Sequence, residues 1–221
     1  MRASLESLLR ARKLDVTLIA PPGAADTARI DESRLAPTGV ASLDAALGGG
    51  LHRGHLSDIA GAASTGRTTL AVQALAAATA RGEAVALVDT CDTFDPASAA
   101  AAGVALPQLL WVRPGGGDVP RALKACSLIL QAGGFGLVVL DLADVASAAL
   151  RQLPSTTWMR LARIIEGSDT VALLLGADRI ARSAGGVTIA CDTAAAGWRG
   201  SAHRARVFSG LAAAPRVVER R

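Results

Sequence analysis

Residues 61–69 read Gly-Ala-Ala-Ser-Thr-Gly-Arg-Thr-Thr. A short apolar run, His55–Ala60, leads into them, and an Ala- and Leu-rich stretch, Thr68–Arg81, leads out and stops at Gly82. The pattern is strand, glycine-bearing turn, helix, which commits the chain to an α/β unit. Gly61, Gly66 and Thr68 fit the spacing G-x-x-x-x-G-K-[ST] of a phosphate loop, and Arg67 stands where the lysine belongs. Backbone N–H groups of such a turn, at a helix N-terminus, cradle an anion. Ser64, Thr65, Arg67 and Thr69 complete the candidate phosphate-contacting set, and the Thr68 hydroxyl is a candidate Mg²⁺ ligand. Arginine is a longer, planar fork and no equivalent of lysine. The plain alternative is a Gly/Ser turn. The strand-to-helix context favours an ancestral nucleotide loop, and the sequence leaves open whether nucleotide still binds.

Further apolar runs alternate with helical stretches. Expected strands are Ala84–Asp89, Leu109–Val112, Leu137–Leu140 and Thr170–Leu175. Expected helices are Pro96–Ala102, Val119–Ala132 and Ser155–Glu166, the last with a Ser or Thr as N-cap. Val187–Cys191 and Arg204–Phe208 are candidate strands for one edge. Continuous apolar strands separated by helices predict a mostly parallel central sheet with helices on both faces. Residues 4–13, with Leu5, Leu8 and Leu9 at helical spacing, read as an amphipathic helix before a Pro/Gly-bearing linker. The expected organisation is an arm and linker over 1–35, a core over 36–210 and a basic tail over 211–221.

Leu137-Val138-Val139-Leu140-Asp141 ends a strand in an acid, the pattern that holds Mg²⁺ at a neighbouring strand of a phosphate loop. Asp141 is thus the second candidate metal and nucleotide contact, although a strand-end Asp also caps turns. The segment Asp89-Thr90-Cys91-Asp92-Thr93-Phe94-Asp95-Pro96 lies where α/β sites sit, and its acids read equally as turn formers and caps. His52 and His55 lack a third ligand and read as a turn. Trp111, Trp158 and Trp198 read as packing residues. Ser64 has no His/Asp partner for nucleophilic chemistry.

The chain has 221 residues, 51% of them hydrophobic, so it can bury a sizeable core. Aromatics are 3% and Tyr is absent, which argues against base-stacking platforms. The net charge of +4 is compatible with nucleic acid without pointing to it. Arginines cluster near both ends, at Arg2, Arg10 and Arg12 and again at Arg199, Arg204, Arg206, Arg216, Arg220 and Arg221. Cys91, Cys126 and Cys191 are far apart, which fits a reducing compartment. No apolar run reaches membrane-spanning length, and a cytoplasmic protein is expected.

The stretch from Pro37-Thr38-Gly39 through Ser42-Leu43-Asp44 to Gly48-Gly49-Gly50-Leu51 is similar to the one preceding the phosphate loop of the bacterial RecA recombinase core. Asp89 to Pro96 resembles that family's D-x-E…D-P strand-end segment. Together these resemble a RecA-like P-loop NTPase core over about residues 36–190. The resemblance implies ATP and Mg²⁺ as ligands and DNA as a partner.

The departures count against turnover. Arg67 replaces the loop lysine, Cys91 falls at the catalytic glutamate, and Gly176-Ala177 stands where recombinases carry Asn-Gln. A short, Ala-rich, degenerate RecA-like chain is similar to the ImuA-type, or SulA-like, accessory proteins of mutagenic repair. That resemblance implies a non-catalytic role in damage-induced (SOS) translesion synthesis. Its partners would be an ImuB-type Y-family polymerase homologue, an error-prone replicative-type polymerase and RecA. The alternatives are an active DNA-dependent ATPase of recombination and repair, and a cell-division inhibitor.

Overall fold

Val85–Asp89, Leu137–Asp141 and Val171–Gly176 are apolar along nearly their whole length, so each must be covered on both sides, and Leu56–Gly61 is buried alongside them despite its Ser57 and Asp58. In the computed structural model they form the centre of one sheet. The structure describes residues 34–181, 185–200 and 205–220. The expected amphipathic arm lies outside the described residues.

The strands are β1 (Leu35–Ala36), β2 (Leu51–His52), β3 (Leu56–Gly61), β4 (Val85–Asp89), β5 (Leu109–Val112), β6 (Leu137–Asp141), β7 (Val171–Gly176), β8 (Val187–Arg199) and β9 (Val207–Arg220). The helices are α1 (Ala41–Leu47), α2 (Arg67–Ala80), α3 (Pro96–Ala101), α4 (Val119–Ala132), α5 (Ser147–Arg151) and α6 (Ser155–Ile165). β1 and β2 pair antiparallel. The main sheet has the order β5-β4-β6-β7-β3-β8-β9. All its neighbours run parallel except β8 and β9, which form an antiparallel pair. The expected α/β fold, a mostly parallel sheet between helical layers, is what the chain adopts.

Side-chain alternation divides the core into two layers. Val85, Leu87, Leu137, Val139, Val171, Leu173 and Leu175 face α1, α2 and α3. Ala86, Val88, Val138, Leu140, Ala172 and Leu174 face α4 and α6. Against the first layer α2 presents Ala71, Ala74 and Ala78 with Leu70 and Leu75. Against the second, α4 presents Ala122, Cys126 and Ile129, and α6 presents Trp158, Leu161 and Ile165. Small residues on α2 let its backbone sit close to the sheet, which a core poor in aromatics requires.

Several expectations are corrected. Asp141 is not on the strand next to the phosphate loop, because β7 lies between β3 and β6. α6 has Pro154 at its N-cap and no side-chain cap. Residues 211–220, expected in a tail, are part of β9 and pair antiparallel with β8 from Val187↔Arg220 to Ala196↔Leu211, with register shifts between Thr188 and Ile189 and between Cys191 and Ala194. β8 and β9 are both longer than their apolar runs suggest, because each is an antiparallel partner that satisfies the other's backbone through Ala194, Ala195 and Ala196 as well. Trp158 is buried and Trp111 packs on the core, but Trp198, near the far end of β8, is 53% exposed.

Candidate functional site

The turn from β3 to α2 is shaped by its glycines. Gly66 sits at the N-cap of α2 with φ 92°, a left-handed conformation that favours glycine. A Cβ on Gly61 would lie 2.5 Å from Thr65 Oγ1 and 2.6 Å from the Cys191 carbonyl oxygen, so only glycine fits beside β8. Ser64 takes φ 65° and is exposed at the crown of the turn. Thr65 is buried and donates to the Ala62 carbonyl at 2.8 Å. Gly66 at the N-cap offers no side chain, so among the described residues no cap bond engages the N–H groups of the first turn of α2. Thr68 and Thr69 are exposed on that first turn.

Upstream, Asp44 fastens the approach to the loop. Its Oδ1 accepts from the Thr38 N–H at 2.7 Å and the Thr38 hydroxyl at 2.8 Å, and its Oδ2 accepts from the Gly39 N–H at 3.2 Å. The Pro37-Thr38-Gly39…Asp44 signature is therefore a structural turn.

Arg67 does not project toward solvent. It is 6% exposed, its Nη1 donates to the Gly61 carbonyl at 2.6 Å, and its Nη2 donates to Asp144 Oδ1 at 3.0 Å. Asp144 lies in the turn after β6. No local pattern marks it, because its partner is 77 residues away.

Asp89 and Asp141 are register partners at the ends of β4 and β6. Asp89 is buried and fully engaged. It accepts from the Thr93 and Phe94 N–H groups at 3.0 Å each and from Trp111 Nε1 at 3.2 Å. Asp95 caps α3, accepting from the Ala97 and Ser98 N–H groups. The turn-forming reading thus holds for both. Asp92 has φ 60° and turns away to Arg113, with both contacts at 2.5 Å. Arg113 in turn lies 4.8 Å over the Trp111 ring.

Asp141 differs from these. Among the described residues, its Oδ1 accepts from the Ala143 N–H, at 2.9 Å. Burial, with smaller contributions from Asp89 and Asp144, pushes its carboxyl up to about 6, although Arg67 opposes the shift. The Cys91 thiol is raised above its ordinary value by burial and by the charges of Asp144, Asp141 and Asp89. It is therefore a neutral thiol at neutral pH and no proton acceptor. β7 ends at Gly176, followed by Ala177, which offers no side-chain amide.

The residues present thus fit one half of a nucleotide site. The backbone of the turn, the open first turn of α2, the Thr68 hydroxyl and Asp141 are the groups that would hold a phosphate group with its cation. The group that would activate water does not fit, because Cys91 is an uncharged thiol. His52 and His55 stack edge to face with ring centroids 5.9 Å apart, and no cluster among the described residues could hold a metal ion through His, Cys, Asp or Glu. Among the described residues, no helix is long and apolar enough to cross a membrane.

Comparison with known proteins gives the same frame. The sequence pattern of the RecA N-terminal domain family matches residues 19–153. Protein RecA of Methylococcus capsulatus is 38% identical over 117 residues, 52% of this chain and 33% of that protein. Protein RecA of Fusobacterium nucleatum is 40% identical over 106 residues, 48% of this chain and 28% of that protein. The chain thus spans about a third of the length of the curated relatives it matches. The crystal structure of the RadB recombinase is similar in fold, with a TM-score of 0.52 at 24% identity, over 64% of this chain and 69% of that one. With the family pattern covering more than half of its residues, the chain belongs to the RecA N-terminal domain family.

Proposed function

We propose that this RecA-family chain is a non-catalytic accessory protein of DNA-damage-induced translesion synthesis, acting through protein contacts. Its partners in this reading are an ImuB-type Y-family polymerase homologue, an error-prone replicative-type polymerase and RecA. The protein works in the cytoplasm, and residues 1–35 serve as an arm that docks on a partner. The observation that carries the reading is the state of the loop. Arg67 is bonded back to Gly61 and Asp144, and Cys91 is a neutral thiol where a RecA-like ATPase needs a carboxylate. A fold kept intact around such a site is suited to presenting surfaces.

The test is affinity capture of the tagged protein from its own host after DNA damage, with partners identified by mass spectrometry. Enrichment of an error-prone polymerase, an ImuB-type protein or RecA is the expected result. Recovery of septal proteins, or of DNA alone, would overturn the proposal.

A second reading, a DNA-dependent ATPase of recombination and repair, is favoured by one observation. The first turn of α2 and the Asp141 carboxyl are retained at the ends of β3 and β6. ATP hydrolysis stimulated by single-stranded DNA and abolished by Asp141→Ala would establish it. In the accessory reading, turnover with and without single-stranded DNA stays at background.

A further inference from the structure

Arg67 and Asp144 form a link whose consequence reaches beyond either residue. A guanidinium carries five N–H donors and no acceptor. Here one arm is held by the Gly61 carbonyl and another by the Asp144 carboxylate. Solvent reaches 7% of the Arg67 side chain and 52% of Asp144. The two bonds tie the first residue of the loop, the first residue of α2 and the turn after β6 to one another. Arg67 is also the cation that opposes the raised Asp141 carboxyl.

We propose that Asp144 is a positioning residue that latches Arg67 against the loop and so keeps the loop's affinity for phosphate groups low. The proposal rests on reading residues 61–69 as a phosphate loop and is independent of the partners proposed above. A phosphate entering the turn brings negative charge toward the Asp144 carboxylate and competes with it for the same guanidinium. Binding must either break the Arg67–Asp144 bond or proceed without Arg67. A lysine at position 67 would meet no such constraint in the same form, because an ammonium has no fork to hold two acceptors at fixed geometry.

The test is calorimetric titration of ADP with Mg²⁺, and of inorganic pyrophosphate, into the full chain and its Asp144→Asn variant. The variant is expected to bind both about tenfold more tightly, ~1.4 kcal/mol. The Asn side chain keeps an acceptor oxygen for the buried Arg67 guanidinium, so the variant should still unfold in one cooperative transition, at a midpoint lowered by the lost charge. The same substitution in an Arg67→Met background should give no gain, since no guanidinium remains to be released. If Arg67→Met does not fold, Arg67→Lys takes its place, and the gain should shrink. Tightening that persists without Arg67 would reduce Asp144 to a nearby repelling charge and overturn the latch. Equal or weaker binding by Asp144→Asn would overturn it as well. Binding of ADP and pyrophosphate by neither protein would overturn the latch and the phosphate-loop reading together, whereas measurable but equal binding by both would sink the latch alone.

Discussion

Gly61 is held by two elements at once. It begins the loop and lies against the backbone of Cys191 on β8, where a methyl group would come within 2.6 Å of a carbonyl oxygen. Gly61→Ala should cost about 1–3 kcal/mol of stability, the usual cost of overpacking a tight contact, and urea unfolding would measure it. Asp58 makes a different kind of prediction. It is 2% exposed on the central strand β3 and accepts from the Thr188 hydroxyl at 2.6 Å and the Ile180 N–H at 3.2 Å. Burial lifts its carboxyl above the ordinary 3.8, against the pull of those two bonds and of Arg179. The folded state then holds the proton more tightly than the unfolded one. The associated stability is fully present below 3.8 and is lost as pH rises through the folded value. Asp58→Asn removes this titration. Unfolding free energies taken between about pH 3.5 and about pH 7 should fall more steeply with pH for the parent than for the variant. Parallel profiles would refute the assignment. At this scale the sequence was a partial guide. Gly61, Gly66 and Thr68 were legible because a motif has fixed spacing. Asp144 was invisible because contact across 77 residues leaves no local trace.

Among the elements, α4 shows local and tertiary signals agreeing. Asp118 caps it by accepting from the Arg121 N–H at 3.0 Å, a proline follows in the first turn, and Gly133 ends it. The expected span, Val119–Ala132, is the observed one. Asp118→Ala should cost about 1 kcal/mol, read as a lower thermal midpoint, with faster amide exchange confined to the first turn of α4. α6 is the contrary case. Its start at Ser155 follows Pro154, which has no side-chain acceptor, so the expected hydroxyl cap is not used. The helix forms regardless because Trp158, Leu161 and Ile165 bury one face against the sheet. Burial of an apolar stripe outweighs a missing cap, which is worth only about 1 kcal/mol.

For the whole molecule, the most consequential element is the last. β9 covers the outer edge of β8 along most of its length. An uncovered edge strand is a template for pairing with other chains. A chain shortened to end at Arg206 should therefore elute as oligomers or aggregate in size-exclusion chromatography, whereas the intact chain gives a smaller, defined species. If the shortened chain behaved like the intact one, β9 would be dispensable for covering β8. The layered core also sets which residues converge. β4 and β6 bring Asp89, Cys91 and Asp141 together at one end of the sheet, while β7 separates them from the strand that carries the loop.

The α/β class, the strands β4 to β7 and the strand–loop–helix at Gly61–Thr69 were determined by the sequence, because continuous apolar runs and fixed glycine spacing are local properties. The strand order, the pairing of 207–220 with β8 and the capture of Arg67 by Asp144 were decided by the tertiary structure. Each depends on which distant backbone or carboxylate lies within hydrogen-bond reach once the sheet has closed. No pattern along the chain encodes that distance.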